Sequence, residues 1–389
     1  MKRFENIFRT LSLVWVMLLA VGMHIKAEAA WHSMDSVEVG LLTCSPHDEV
    51  YSIYGHTALH WHDLRTGYHY VFNYGVFDFN KPHFVWRFVM GHTDYRLECT
   101  SHFAAWCDYY RKWGSSVEEQ VLALTPTEKR RLQEALAKNL QHPVYRYNFF
   151  YDNCSTRPRD IVERCLEGRV SYGTDQADGP TLREMVHQCA VNSPWTAFGN
   201  DLLLGVMADR PTTQRVRQFL PACLSRDLDS AVVDRKGRMQ PLVLRRVTHV
   251  QPGAQQHESG FPLSPFACTL LLLLISTVIA AYEWRTERIQ VWWDALLMLV
   301  TGLCGCILTL MIFSEHPATS INLQLLMLNP LQLLFIPAVL KRKKTRWFQV
   351  YALLLLLFLL GGFFQDYARG MEIVALCLLI RSVIHNHDK

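Results

Sequence analysis

Charge is scarce in this 389-residue sequence, and neither sign prevails. Only 19% of the residues are charged, and 39 Lys and Arg against 35 Asp and Glu leave a net charge of +4. That balance argues against a dedicated polyanion or nucleic-acid binder. A chain that is 50% hydrophobic is no disordered tail either. Internal repeats are lacking, and so is any uncharged run before residue 260 long enough to cross a bilayer. After residue 260 such runs dominate. Length predicts two to three units at roughly 150 residues each, and the hydrophobic asymmetry predicts a soluble-type unit joined to a membrane unit.

The N-terminus carries Lys2, Arg3 and Arg9, the mostly apolar Leu11–Met23 and then Ala27-Glu28-Ala29. The apolar stretch would rise only ~20 Å as a helix against a ~30 Å hydrocarbon core, so residues 1–29 read as a cleaved secretory signal. Four later runs are long enough, or nearly so, to span: Gly260–Tyr282, Ala295–Ser314, Pro317–Leu340 and Trp347–Gln365. A fifth, Met371–Ile384, is weakened by Glu372 and Arg381. With residues 30–250 outside the cytoplasm, the basic loops Arg285–Arg288 and Lys341–Arg346 face in, and the outer loops carry a single Arg369. This positive-inside bias is independent of the signal peptide. The organisation predicted is an extracytoplasmic unit at 30–250, a Gln-, Gly-, Ser- and Pro-bearing linker at 251–265 and an all-α membrane unit of four to five helices at 266–389. His316, Asn322, Asn329 and Asp366 fall near the outer interface, where polar groups serve function or hold helices together.

Within the extracytoplasmic unit, Val37–Thr43 reads as a strand. His56–His62 alternates, with Thr57, Leu59 and Trp61 on one face and His56, Ala58, His60 and His62 on the other. Turn residues 63–67 lead into Tyr68–Phe79, completing a hairpin. Helices are predicted over Thr127–Leu140, from about Cys154 to Glu167, over Leu182–Gln188 and over Pro211–Asp229; Pro158 fits only the first turn of the second. Phe84, Trp86 and Phe88 read as core, and Asp209-Arg210 as a structural ion pair.

Seven cysteines lie outside the membrane part (Cys44, Cys99, Cys107, Cys154, Cys165, Cys189 and Cys223), and an odd number in an oxidising compartment leaves at least one unpaired. Cys154 enters a helix, where backbone N–H groups and the positive dipole end favour a thiolate and can hold an oxyanion. His56 is the candidate base, and Gly55 lets the chain pass close by. If residues 64–67 form the hairpin loop, Ala58 pairs with Asn73, which then lies on the His56 face and can orient the ring. His60 is its rival, and a slip of one residue puts Phe72 or Tyr74 there instead. A structural thiol is the plainer alternative for Cys154. A zinc set of His56, His60 and His62 lacks a carboxylate or Cys at a ligand spacing, so no metal is expected. Arg157 and Arg159 are solvated or paired, or bind a phosphate head group.

The segments Tyr54-Gly55-His56-Thr57-Ala58-Leu59, Asn-Tyr-Gly-Val-Phe-Asp-Phe (73–79) and Tyr-Asp-Asn-Cys-Ser-Thr-Arg (151–157) resemble the Lnb lipoprotein N-acyltransferase family of the Bacteroidota, long known only as a domain of unknown function. Phe-Gly-Asn-Asp-Leu-Leu-Leu-Gly (198–205) and the loop from His316 to Asn322 look like it too. More distantly, a strand His before a helix-start Cys is similar to the circularly permuted papain-like enzymes, the NlpC-type hydrolases and the lecithin:retinol acyltransferase group. The resemblance implies an α+β permuted papain-like domain with Cys154 and His56 catalytic. Asn73 rests on the pairing argument; Tyr54, Asn153 and Arg157 are substrate-binding candidates. It further implies acyl transfer from a membrane phospholipid through a Cys154 thioester to the α-amine of diacylated lipoproteins, at the periplasmic face of the inner membrane, without a cofactor. The alternative expectation is a membrane-tethered cysteine peptidase or amidase of the cell envelope.

Overall fold

The computed structural model describes residues 34–49, 51–77, 82–173, 179–255 and 261–387. The expected signal at 1–29 lies outside the described residues. Ten strands are present among them: β1 (Val37–Cys44), β2 (His56–Asp63), β3 (Tyr68–Val76), β4 (Asp94–Thr100), β5 (Val117–Leu122), β6 (Val144–Arg146), β7 (Arg169–Ser171), β8 (Val232–Arg235), β9 (Arg238–Pro241) and β10 (Val243–Val250). Seven form one antiparallel sheet in the order β10-β5-β1-β2-β3-β4-β6, and β7-β8-β9 form a smaller one. The β2–β3 hairpin places Asp63 opposite Tyr68 and Leu59 opposite Phe72, the register that a four-residue 64–67 loop dictates.

Helices cover both faces of the large sheet. The described ones in the first unit are α1 (Phe84–Val89), α2 (Phe103–Lys112), α3 (Pro126–Gln141), α4 (Thr156–Cys165), α5 (Leu182–Cys189), α6 (Pro194–Leu203), α7 (Gln214–Arg217) and α8 (Pro221–Asp229). The alternation in β2 decides what packs where. Leu59 and Trp61 join Val39, Leu41 and Leu97 against Leu132 and Leu136 of α3 and Ile161 and Val162 of α4. Ala58, on the opposite face, packs with Leu42 and Val71 against Cys107 and Tyr110 of α2. Thr125 closes a capping box with Glu128 at the start of α3, and Pro126 sits in its first turn, where its missing N–H costs nothing. The helix expected over Pro211–Asp229 is two, because Pro221 cannot continue the first and starts the second.

Two further expectations change. Phe84, Trp86 and Phe88 are not core: in α1, Val85 is 74% and Trp86 54% exposed. Asp209 pairs with Arg183 (Nε to Oδ1 2.6 Å) instead of with Arg210, because Arg183 is buried and needs the charge.

The second unit comprises α9 (Pro265–Thr286), α10 (Val291–Ile312), α11 (Gln332–Leu340), α12 (Trp347–Gly361) and α13 (Met371–His387). Helices α9 and α10 have 22 residues each, long and apolar enough to cross a membrane at ~1.5 Å per residue. The run Pro317–Leu340 is not one helix. It makes a short 3-10 turn at Leu323–Leu326, breaks at Asn329-Pro330 and resumes as the nine-residue α11. The break nests against Gly305 of α10, whose absent Cβ would lie 2.4 Å from the Leu328 carbonyl oxygen. Arg381, the charge that weakened the fifth run, is buried between Glu283 and Asp294.

The units are joined by hydrogen bonds at the Asn322 end of the membrane helices. Asn322 Nδ2 donates to the Leu202 carbonyl (2.8 Å), Gln324 Nε2 to that of Asp201 (2.7 Å) and Gln365 Nε2 to that of Leu204 (3.2 Å). Gly205 packs where a Cβ would stand 1.9 Å from the Ile321 carbonyl oxygen. A second contact joins α1 to the α10 exit: His316 Nε2 donates to the Phe88 carbonyl (2.6 Å), and the Glu315 N–H to that of Met90 (3.0 Å). His316 and Asn322 thus hold the units together.

Candidate active site

The loop after β6 delivers Cys154 to the start of α4. Asn148 and Asp152 exchange backbone hydrogen bonds (3.0 and 2.9 Å), pinching the loop shut. Asn153 then caps the helix. Its Oδ1 accepts from the Ser155 and Thr156 N–H groups (2.9 and 3.0 Å), and its Nδ2 donates to the Phe149 and Phe219 carbonyls (2.9 and 2.8 Å). With both ends of the amide committed and only 3% exposure, Asn153 has nothing left for a substrate; its role is structural. The same cap occupies two of the amides that the sequence offered to an oxyanion. Asn153→Ala is therefore expected to lower stability by about 0.5–2 kcal/mol, the usual worth of an N-cap, measured as a shifted chemical-denaturation midpoint. An unchanged midpoint contradicts the capping role.

Cys154 is 8% exposed and is met from β2. It hydrogen-bonds the His56 ring, the Thr57 backbone N–H and the Ser155 hydroxyl. Ser155 Oγ in turn lies 2.9 Å from Thr57 Oγ1, which fastens the helix start to the strand. His56 Nε2 donates to Asn73 Oδ1 at 2.7 Å. That bond fixes the tautomer and leaves Nδ1, with its lone pair, for the sulfur. The register of the hairpin brings Asn73 there, on the His56 side of β3.

Gly75 completes the junction. A Cβ on it would lie 3.6 Å from Cys154 Cβ and 3.8 Å from His56 Cε1, and its φ of +107° is one that other residues rarely adopt. It sits where the β3–β4 register slips between Tyr74 and Val76, a bulge beside Cys154 and His56. Gly55, at φ +75°, turns the chain into β2 within 2.8 Å of the Cys44 carbonyl oxygen (measured from an added Cβ).

Electrostatics single out one thiol. Burial pushes Cys44, Cys99, Cys107, Cys165, Cys189 and Cys223 above the usual thiol range, Cys189 to about 11. Burial would do the same to Cys154, but the adjacent His56, its hydrogen bond, the Thr57 N–H and the Ser155 hydroxyl outweigh it and hold the thiol below its ordinary value. For His56, burial opposes the cation, while the Cys154 sulfur, their hydrogen bond and Asn73 outweigh burial and raise the ring. The pair therefore leans toward thiolate and imidazolium. All eleven cysteines carry free thiols, so no disulfide blocks this sulfur.

Other expected residues fall elsewhere. His60, the rival orienter, faces Glu119 (Nδ1 to Oε1 2.8 Å) and His69, not the sulfur. The His56, His60 and His62 zinc set does not form, because His56 turns to Cys154. Arg157 is no free phosphate binder: Asp152 holds it at 2.7 and 2.9 Å, and its guanidinium lies 3.6 Å over the Tyr145 ring. Arg159 is buried against Asp160 and Gln218. Tyr54 accepts from Asn200 Nδ2 (2.8 Å), tying the approach to β2 onto α6 and hence onto the membrane unit. Thr57, Ser155 and Gly75 were missed as site residues. A glycine inside an alternating strand was the available signal for the bulge.

Neither a curated protein nor a solved structure matches the chain. Two family models do: residues 27–188 match the Lnb N-terminal periplasmic domain, and residues 256–388 match the Lnb transmembrane domain. The first match takes in Cys154, His56 and Asn73 and the second takes in the membrane helices, with residues 189–255 between them; the chain belongs to the Lnb family, a membrane protein with a periplasmic domain.

Proposed function

We propose that this protein is a lipoprotein N-acyltransferase working through a Cys154 thioester in a papain-like catalytic domain at the periplasmic face of the inner membrane, with five membrane segments beneath it. The observation that carries the reading is the one depressed thiol among the seven extracytoplasmic cysteines, hydrogen-bonded to a histidine whose other nitrogen is held by Asn73.

The Cys154 thiolate attacks an ester carbonyl carbon of a membrane phospholipid, forming a C–S bond and an oxyanion. The Cys154 N–H is the helix-entry amide that the Asn153 cap leaves to stabilise that oxyanion. Collapse breaks the ester C–O bond, and the His56 imidazolium gives its proton to the departing lysophospholipid oxygen. The α-amine of a diacylglyceryl-cysteine lipoprotein then attacks the thioester while His56 takes its proton. The C–S bond breaks, thiolate and imidazolium return, and an amide leaves. The sum is ester plus amine giving alcohol plus amide, with no oxidant, metal or cofactor in the scheme. Both lipid substrates are confined to the bilayer, which accounts for a periplasmic unit bolted to membrane helices through Asn322, Gln324 and Gln365.

In a cell that depends on this enzyme, Cys154→Ala is expected to leave lipoproteins diacylated with a free α-amine, read by mass spectrometry of their N-terminal peptides. Unchanged N-acylation contradicts the assignment.

A further inference from the structure

We propose that His60, Glu119 and His249 form a binding site for one divalent transition-metal cation of the zinc class. The three residues come from three strands of the large sheet, β2, β5 and β10, and their ligand atoms all lie within 4.8 Å of one another. His60 Nδ1 is 2.8 Å from Glu119 Oε1, and His249 Nε2 is 2.6 Å from Glu119 Oε2.

Two backbone devices exist to bring them together. Strand β1 separates β5 from β2, and Glu119 reaches across it over Gly40, the residue paired with His60. A Cβ on Gly40 would lie 1.9 Å from Glu119 Oε1, so only glycine admits the carboxylate. His249 stands where the β10–β5 register shifts between Thr248 and Val250, a bulge that re-aims its ring. The carboxylate that is lacking near His60 in the sequence is thus supplied across the sheet.

The donor set selects the cation. Two imidazoles and one carboxylate suit zinc and its first-row neighbours, whereas calcium and magnesium take oxygen ligands. A surrounding shell is present as well. His60 Nε2 lies 2.9 Å from His69 Nδ1, the partner that a ligating histidine needs for its second nitrogen. Phe103 stacks on His60 at 4.3 Å and meets His249 edge-on at 4.9 Å, an apolar ring against both imidazoles. On binding, the cation replaces the hydrogens shared with Glu119. Each imidazole then carries its proton on the other nitrogen, for His60 the one facing His69. Such a staple would fix β10, which leads to the first membrane helix, to the strand that bears His56.

The test uses tag-free full-length protein in detergent, stripped with a chelator and dialysed against Zn²⁺ or Co²⁺. The expected result is one equivalent of zinc retained, and a tetrahedral Co²⁺ spectrum without a thiolate charge-transfer band, since no cysteine is a ligand. His249→Asn and Glu119→Gln should each abolish retention, and His69→Phe should weaken affinity by about 10–100-fold, as loss of a supporting partner does. Should Glu119→Gln fail to fold, the partly exposed His249 and the wild-type spectrum still decide. No retained metal, a thiolate band, or full retention in His249→Asn overturns the proposal. None of these readouts depends on acyl transfer.

Discussion

His56→Ala is expected to slow acylation of Cys154 by about 10²–10⁴-fold, the range for losing a positioned acid–base group. The loss has two parts. His56 is the largest favourable influence holding the Cys154 thiol down, so without it burial prevails and the thiol becomes harder to ionise. The leaving lysophospholipid oxygen also loses its proton donor. Alkylation by iodoacetamide across pH separates the two, because it needs the thiolate but no leaving-group proton. In the wild type, alkylation should begin below the ordinary thiol range, while acylation should rise through the lowered thiol value and fall as pH passes the raised His56 value. In His56→Ala the alkylation profile should move upward. An unmoved profile contradicts the pair.

Arg381→Leu is expected to destabilise the membrane unit by about 3–5 kcal/mol, the cost of leaving buried charges unpaired. The guanidinium donates from Nε to Asp294 Oδ1 (2.6 Å) and from Nη2 to Glu283 Oε1 and Asp294 Oδ2 (2.9 Å each), and His385 adds a contact to Asp294 at 2.8 Å. Removing the cation strands two carboxylates among apolar helices. Adding Glu283→Gln and Asp294→Asn to Arg381→Leu should restore much of the loss, which distinguishes charge imbalance from lost packing. The exposed Arg96–Glu98 pair provides the contrast, since solvent screens such pairs to about 0–1 kcal/mol. Thermal unfolding in detergent reads both; equal effects at the two sites contradict the argument.

Local chemistry made much of the site legible. Counting back from the turn at 64–67 was enough to bring Asn73 to His56, because antiparallel pairing carries a register along a strand without further information. Pro158, admissible only in a first turn, marked a helix start at about Cys154, and the cap found there is Asn153. Long-range placement was not legible. Strand β5 pairs with β1, roughly 80 residues before it, and with β10, more than a hundred residues after it, and nothing near Glu119 in sequence announces His60 or His249. Hydropathy alone saw Pro317–Leu340 as one span, since it counts apolar residues and not the backbone break that Gly305 accommodates. The aromatic residues of α1 were mistaken for core for the same reason. Their composition is that of an interior, but α1 hangs on the Glu315–His316 loop beside the membrane helices with its rings outward.

The central claim is that the Cys154 sulfur becomes a covalent acyl carrier. Purified full-length protein incubated with a phospholipid of defined chains, without lipoprotein, should gain the mass of one acyl group. Peptide mapping should place it on Cys154, and neutral hydroxylamine should remove it, as it does thioesters. No mass gain, or an adduct that persists in Cys154→Ala, contradicts the account.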